Sequence, residues 1–329
     1  MTRLTIIPSF APARLVNRFA LAFSLALLVE TTVHAIEYSA EDYKQAVAPC
    51  MRSGNYDCAE KNWVQYLRLR PNDSNALANL GIVMNMRDNN KGAVVQFERA
   101  IDLGEGAYDL FAYYADSLAK IGRTEDAIDW SYKALAVVPQ LVDVRGSLAK
   151  LLVLQKRYYE ALSLLSSFDE NARSSGQQSY FEGQRIAIET ALSRNVTGAE
   201  SESTSLRLPM YRDHFYAPVT VGESRPSAFL VDTGASLFTI SDDYLARSKV
   251  SYKEIGSGGR SMQTADGRKV EGRMVSVQSL RVGPYEVRDA QAFVCKDCTL
   301  LLGQSILSKF DIKSTKKQGV EFLTLSPRK

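Results

Sequence analysis

FLVDTGASLFTIS, residues 229–241, is the stretch on which the reading of this chain turns. An apolar run meets a carboxylate at Asp232, turns on a glycine and returns to apolar residues. Ionised and unpaired at the end of a buried strand, that aspartate would be costly to desolvate, so something must share its charge. The plainest account is a turn in which Asp-x-Gly merely reverses the chain between two strands. Against that account stand the apolar approach and a second stretch about 70 residues on, LLLGQSILSKFDI at 300–312, since a motif is judged by its context. The second stretch predicts a strand, a glycine and a short helix with Ile306, Leu307 and Phe310 turned inward.

Around these two landmarks the second half of the chain is written in short alternating runs, YAPVTVG, SAFLVDTG, LFTIS, MVSVQSLRVG and YEVRDAQAFV, punctuated by Gly and Pro. Many short strands at close spacing predict an all-β barrel or sandwich over residues 209–329. Within RSMQTADGRKVEGRM, Asp266-Gly267 predicts a hairpin turn, the glycine supplying the positive φ.

Leu230-Val231-Asp232-Thr233-Gly234-Ala235-Ser236 resembles the active-site motif of retropepsin-like aspartic proteases, the half-size relatives of pepsin. Leu301-Leu302-Gly303 with its short helix is similar to that family's second motif, and QTADG, residues 263–267, occupies the place of its flap hairpin. The resemblance spans residues 210–325 and implies an acid-protease barrel. It implies Asp232 as the catalytic carboxylate, Thr233 as the hydroxyl that braces two such loops across a symmetry axis, and Gly234 as the residue whose amide approaches the carboxylate. Thr264, Ala265, Asp266 and Gly267 of the flap, with Leu302 and Gly303, are the implied substrate-binding residues.

Peptide hydrolysis by this chemistry needs one carboxylate to take a proton from water and a second, protonated, to donate to the carbonyl oxygen. Two close aspartates cannot both ionise cheaply, so they share a proton. One Asp-Thr-Gly per chain therefore predicts a homodimer through the protease domain with the cleft on its two-fold axis, a peptide or protein substrate, and neither metal nor cofactor. Two departures from the retroviral pattern are Leu237-Phe238, where acidic residues are usual, and Gln304, where arginine is usual. An ion pair near the dimer interface is thereby lost. Whether the C-terminal strand over 320–325 joins an intersubunit sheet is left open by the sequence.

The first half has a different rhythm. Ala59, Ala93, Ala127 and Ala161 recur every 34 residues, as do Gly81, Ala115 and Ala149, and Ala100 and Ala134. A fixed period with small residues at helix contacts marks stacked helical hairpins, and these positions resemble the tetratricopeptide repeat. Four units are expected over residues 40–175, closed off by a helix over 179–194, making an all-α solenoid of residues 36–194. Such an array presents a surface to a partner protein or acts as a spacer. Tyr108, Phe111, Tyr113, Tyr114, Trp130 and Tyr132 crowd its middle, mostly as packing between helices. The polar run NVTGAESESTSLRL, residues 195–208, predicts a linker.

At the N-terminus Arg3, Arg14 and Arg18 precede an apolar centre at 19–29 and Val33-His34-Ala35, the order of a secretory signal over residues 1–35. The centre is short for a membrane span, so an uncleaved anchor is the secondary reading. Export, to the periplasm if the source is bacterial, is the expectation. Four cysteines fall in two close pairs, Cys50 with Cys58 and Cys295 with Cys298, which in an exported protein predict two local disulfides. Zinc would need further ligands that the neighbourhood lacks. With 40 Lys+Arg against 37 Asp+Glu, nucleic acid is not an expected partner. His34 and His214 are the only histidines, and a Ser–His or Cys–His nucleophile lacks a convincing base. The chain is thus expected to be an exported aspartic endopeptidase whose repeats recruit a protein. The alternative is a non-catalytic scaffold of repeats and an idle protease-like barrel.

Overall fold

The computed structural model describes residues 38–195, 205–256, 259–263, 267, 269–317 and 319–328. The predicted secretory segment, residues 1–35, and most of the predicted linker lie outside them.

Four antiparallel helical pairs build the first half: α1 (Ala40–Arg52) with α2 (Tyr56–Leu69), α3 (Ser74–Met86) with α4 (Asn90–Asp102), α5 (Tyr108–Lys120) with α6 (Thr124–Val137), and α7 (Val142–Leu154) with α8 (Tyr158–Ser174). Helix α9 (Glu182–Asn195) follows. Starts are capped where the sequence supplies an acceptor: Asp73 Oδ1 takes the Ala76 amide at 2.9 Å, and Asn55 takes that of Cys58 at 3.0 Å. The periodic alanines 59, 93, 127 and 161 are all completely buried, and a Cβ on Gly81 would stand 2.7 Å from the Phe97 ring. Small side chains are thus what lets paired helices approach. Each pair turns through a left-handed residue at the same 34-residue interval, Gly54, Asp88, Gly122 and Lys156, with φ of 69°, 58°, 84° and 58°. Two of these four are not glycine and carry the steric penalty of that conformation.

Cys50 and Cys58 are joined across the first turn, their Cα atoms 5.6 Å apart. The bridge staples a pair that, among the described residues, has a neighbouring pair on one side only. Phe111, Tyr114 and Tyr132 are buried; Trp130 packs on Phe111 and Tyr114 at 5.3 and 5.0 Å between ring centres, while Tyr108 is exposed.

The second half is a mixed sheet: β1 (Leu206–Tyr211), β2 (His214–Val221), β3 (Ser227–Val231), β4 (Phe238–Ser241), β5 (Tyr252–Glu254), β6 (Arg260–Gln263), β7 (Lys269–Val282), β8 (Tyr285–Cys295), β9 (Leu301–Leu302), β10 (Phe310–Lys317) and β11 (Val320–Pro327). Two short helices interrupt it, α10 (Asp242–Ser248) and α11 (Gln304–Leu307). The expectation of an all-β barrel is corrected here. Strand order is β10-β11-β1-β2-β3-β9-β4-β8-β7-β5, with β6 on β7, so β10 and β5 remain as edges and the sheet does not close. An extra β2–β7 pairing folds the middle of the sheet over its core without joining those edges. Two pairings, β3–β9 and β4–β8, are parallel.

β1 starts at Leu206, inside the stretch predicted as linker, because Leu206 and Leu208 alternate into the core opposite Leu325 and Leu323 of β11. Its other partners are on the helices. Tyr211, Val320 and Phe322 share one apolar cluster with Tyr132, Leu164, Leu165 and Phe168. Tyr132 meets Phe322 edge-on at 5.0 Å, Ser163 Oγ donates to the Tyr216 carbonyl at 2.6 Å, and Lys317 pairs with Asp129 at 2.5 Å. The buried Arg145 donates to the carbonyls of Leu164 and Pro139 at 2.9 and 2.8 Å and lies over the rings of Phe168 and Tyr211. Burial draws its pKa down to about 10, which leaves it charged at neutral pH. Residues from Ser39 to Lys329 consequently form one compact unit.

Candidate active site

Asp232 begins the loop between β3 and β4, and the strand ends that hold this loop are fixed by packing. Phe229 and Phe238, one on each side, are completely buried and stack at 5.2 Å with 16° between their planes. β9 lies between the two arms, parallel to β3 with Leu230 opposite Leu301 and Val231 opposite Leu302, and antiparallel to β4 with Thr239 opposite Leu301. The Asp232 amide donates to the Leu302 carbonyl at 3.2 Å.

The loop itself is laced to the start of α11. Gln304 N donates to Ala235 O at 2.8 Å, Ser305 N to Ser236 O at 3.0 Å, and Phe238 N to Ser305 Oγ at 2.8 Å. Gln304 Nε2 reaches the Thr233 carbonyl at 3.0 Å. Gly303 must be glycine for want of space: a Cβ there would lie 2.8 Å from the Ala235 carbonyl oxygen and closer still to that of Leu237. These hydrogen bonds form a frame around the loop, with the 303–305 segment behind it.

Within the frame Asp232 Oδ1 accepts the amides of Gly234 at 2.9 Å and Ala235 at 3.2 Å. Gly234 allows this approach, since a Cβ would stand 3.2 Å from that same oxygen. Asp232 is half-buried, and Thr233 and Gly234 are exposed. The carboxylate thus sits at the rim of an apolar core, oriented by backbone amides, with the next two residues facing outward. This bonding fixes which oxygen faces the loop.

Other predicted site residues fall differently. Leu302 is completely buried and Gly303 is covered by Ala235 and Leu237, so both back the loop. Thr264, Ala265 and Asp266 lie outside the described residues; the strands flanking them, β6 and β7, form a hairpin with Gln263 opposite Lys269, and Gly267 has φ 84°. Cys295 and Cys298 are joined at the end of β8, 5.5 Å between Cα atoms, just before the residues that reach β9. β11 has both edges occupied in its own chain, by β10 and β1. Gln304 stood out in the sequence only as a departure from arginine; its two bonds to the loop show what stands in the arginine's place.

The family described as “gag-polyprotein putative aspartyl protease” matches residues 217–309. No curated protein matches the chain. Among solved structures, the tetratricopeptide protein YrrB, described as having an unusual peptide-binding site, is 18% identical over 49% of this chain and 80% of its own, with a TM-score of 0.43. MamA from Desulfovibrio magneticus RS-1 is 20% identical over 41% of this chain and 77% of its own, with a TM-score of 0.39. A retropepsin-like aspartic protease from Rickettsia conorii is 24% identical over 37% of this chain and 92% of its own, with a TM-score of 0.28.

The chain joins two recognisable parts, an N-terminal tetratricopeptide-like repeat region and a C-terminal aspartic-protease-like domain of the retropepsin family. The family match covers the aspartate loop, the hairpin and the 300–309 segment that frames the loop.

Proposed function

We propose that the protein is an exported aspartic endopeptidase assembled from two chains. The observation that carries this reading is the Asp232 carboxylate, turned by the Gly234 and Ala235 amides at the open rim of a rigidly framed loop. One such loop supplies one carboxylate. A second copy supplies the other, the two share a proton, and a water between them attacks the peptide carbonyl while the protonated partner donates to its oxygen. Thr233, next to Asp232 and exposed, is positioned to meet its counterpart from the other chain. The hairpin of β6 and β7 serves as the flap over bound peptide. The repeats bring a protein substrate or partner to the cleft. The charged, apolar and small-residue order at the N-terminus and two disulfides support export.

The competing reading, a binding scaffold with an idle protease-like domain, is favoured by one feature: β11 has no free edge to pair with a second chain. Hydrolysis of a peptide library by the mature protein separates the two. Cleavage that is lost in Asp232→Asn, blocked by a statine-type inhibitor and falling faster than linearly on dilution is the expected result. Equal turnover by the Asp232→Asn protein rejects the catalytic role, and undiminished activity per mole at nanomolar concentration rejects the shared site.

A further inference from the structure

Side chains alternate along a strand, so Ala228, Leu230 and Asp232 point to one side of β3 and its continuation. Leu230 lines a cavity of about 580 Å³. Leu230 precedes Asp232 by two residues, about 7 Å of strand rise. The facing wall comes partly from the repeats: it is the C-terminal end of α8, with Glu170 and Arg173, together with the β1–β2 hairpin end, with Arg212 and His214. Arg247 of α10 closes a third side.

Three arginines from three elements thus line one cavity against β3, the strand that leads into the aspartate loop. Arg173 is held by Glu170 at 2.6 Å and Arg247 by Asp243 at 2.8 Å. These are exposed pairs within single helices, whose strength is small enough for a ligand to compete with. Arg212, exposed at the hairpin tip with φ 48°, has no carboxylate partner among the described residues; its guanidinium lies 5.7 Å from the Tyr211 ring centre. Asp297 also lines the cavity and opposes an incoming acid, so Arg212 has to outweigh it.

From this arrangement we infer that the repeat region builds one wall of the peptide-binding cleft, and that the cavity between α8 and the sheet takes a single acidic side chain of the bound peptide, met by Arg212. The inference rests on the peptidase reading for its orientation along β3, but the binding chemistry is independent of cleavage. It also gives the repeats a direct part in substrate choice. In a two-chain assembly the cavity occurs once on each side of the paired carboxylates, so an acid is selected on both sides of the cut.

The test uses the full mature chain and a proteome-derived peptide library in two arms. In the first, immobilised Asp232→Asn protein selects peptides, which are identified by mass spectrometry. Enrichment of Asp or Glu over Asn and Gln by about fivefold is expected, the size of a partly exposed charge pair. Added Arg212→Glu is expected to reverse the preference to Lys and Arg. In the second arm the wild type cuts the library, and the acid is expected at a fixed distance of a few residues on each side of the scissile bond. Selection without acidic bias, a bias that Arg212→Glu leaves unchanged, or no selection at all overturns the inference. Acidic selection without any cleavage upholds it while removing the peptidase reading. Cleavage with no acidic preference removes the inference alone.

Discussion

Gln304 spans the gap to the aspartate loop with two bonds, its side-chain amide to the Thr233 carbonyl at 3.0 Å and its backbone amide to the Ala235 carbonyl at 2.8 Å. The loop is thereby gripped on both sides of Gly234. Gln304→Ala removes the side-chain bond and is expected to cost about 1 kcal/mol of stability. Displacement of the loop is expected to lower peptide turnover by about tenfold, since small misplacements of reacting groups weigh heavily. Denaturant midpoints and turnover of one peptide, measured side by side, check both; an unchanged turnover contradicts the bracing role.

Gly303→Ala pushes a methyl group into two carbonyl oxygens that cannot retreat, because both belong to the laced loop. A loss of about 3 kcal/mol is expected from such overpacking. Urea titration followed by fluorescence measures it. A loss no larger than that of an exposed glycine substitution, such as Gly106→Ala, where a Cβ meets nothing within 4 Å, would show that the loop yields.

Lys156 holds the left-handed position that glycine holds at 54 and 122. Lys156→Gly relieves that conformation and is expected to stabilise the chain by about 1 kcal/mol, raising Tm by about 2 °C. Calorimetry decides it, and a lower Tm would mean that the lysine side chain compensates for its backbone.

Because Tyr132 and Phe322 belong to one core, repeats and sheet are expected to melt together. Calorimetry of the full chain should show a single transition. Phe322→Ala should cost about 3–5 kcal/mol and lower helix and sheet signals in step. Two resolved transitions in the wild type would contradict a shared core.

Burial, then the charge and hydrogen bond of Glu160, hold the Tyr132 hydroxyl protonated well above the ordinary tyrosine range. The unfolded chain releases that proton near pH 10, while the folded chain keeps it. Stability from this group is therefore intact below about pH 10 and falls as pH rises beyond it, by about 1.4 kcal/mol per pH unit. Urea unfolding of wild type and Tyr132→Phe between pH 8 and 11 tests this. The difference between them should shrink above pH 10; a constant difference would remove Tyr132 from the alkaline response.

Several features were legible in the sequence because they depend on neighbours along the chain. The alanines at 59, 93, 127 and 161 announce the repeat because each fills the same helix contact, and Asp232 with Leu301-Leu302-Gly303 announces the framed loop because each half needs the other's shape. The turn at Asp88 and Lys156 was hidden, since the backbone requirement repeats while the residue does not. The open sheet was hidden too: β1 pairs with β11, a partner from the far end of the chain, and no local alternation distinguishes that pairing from closure. Arg145 looks like a surface position. Its burial depends on two carbonyls and two rings, from α8, its own helix connection and β1, which meet only once the sheet docks.

The pairing of β1 with β11 also sets an order of events during biosynthesis. β1, which follows the repeats, pairs at once with β2 but lacks its other neighbour until the eight-residue β11 has been made. Val320 and Phe322 then seat against α6 and α8 in the same step that completes the sheet. A chain lacking β11 would leave β1 without one of its partners and the helical half without Val320 and Phe322, so a single strand couples completion of the sheet to its seating on the repeats.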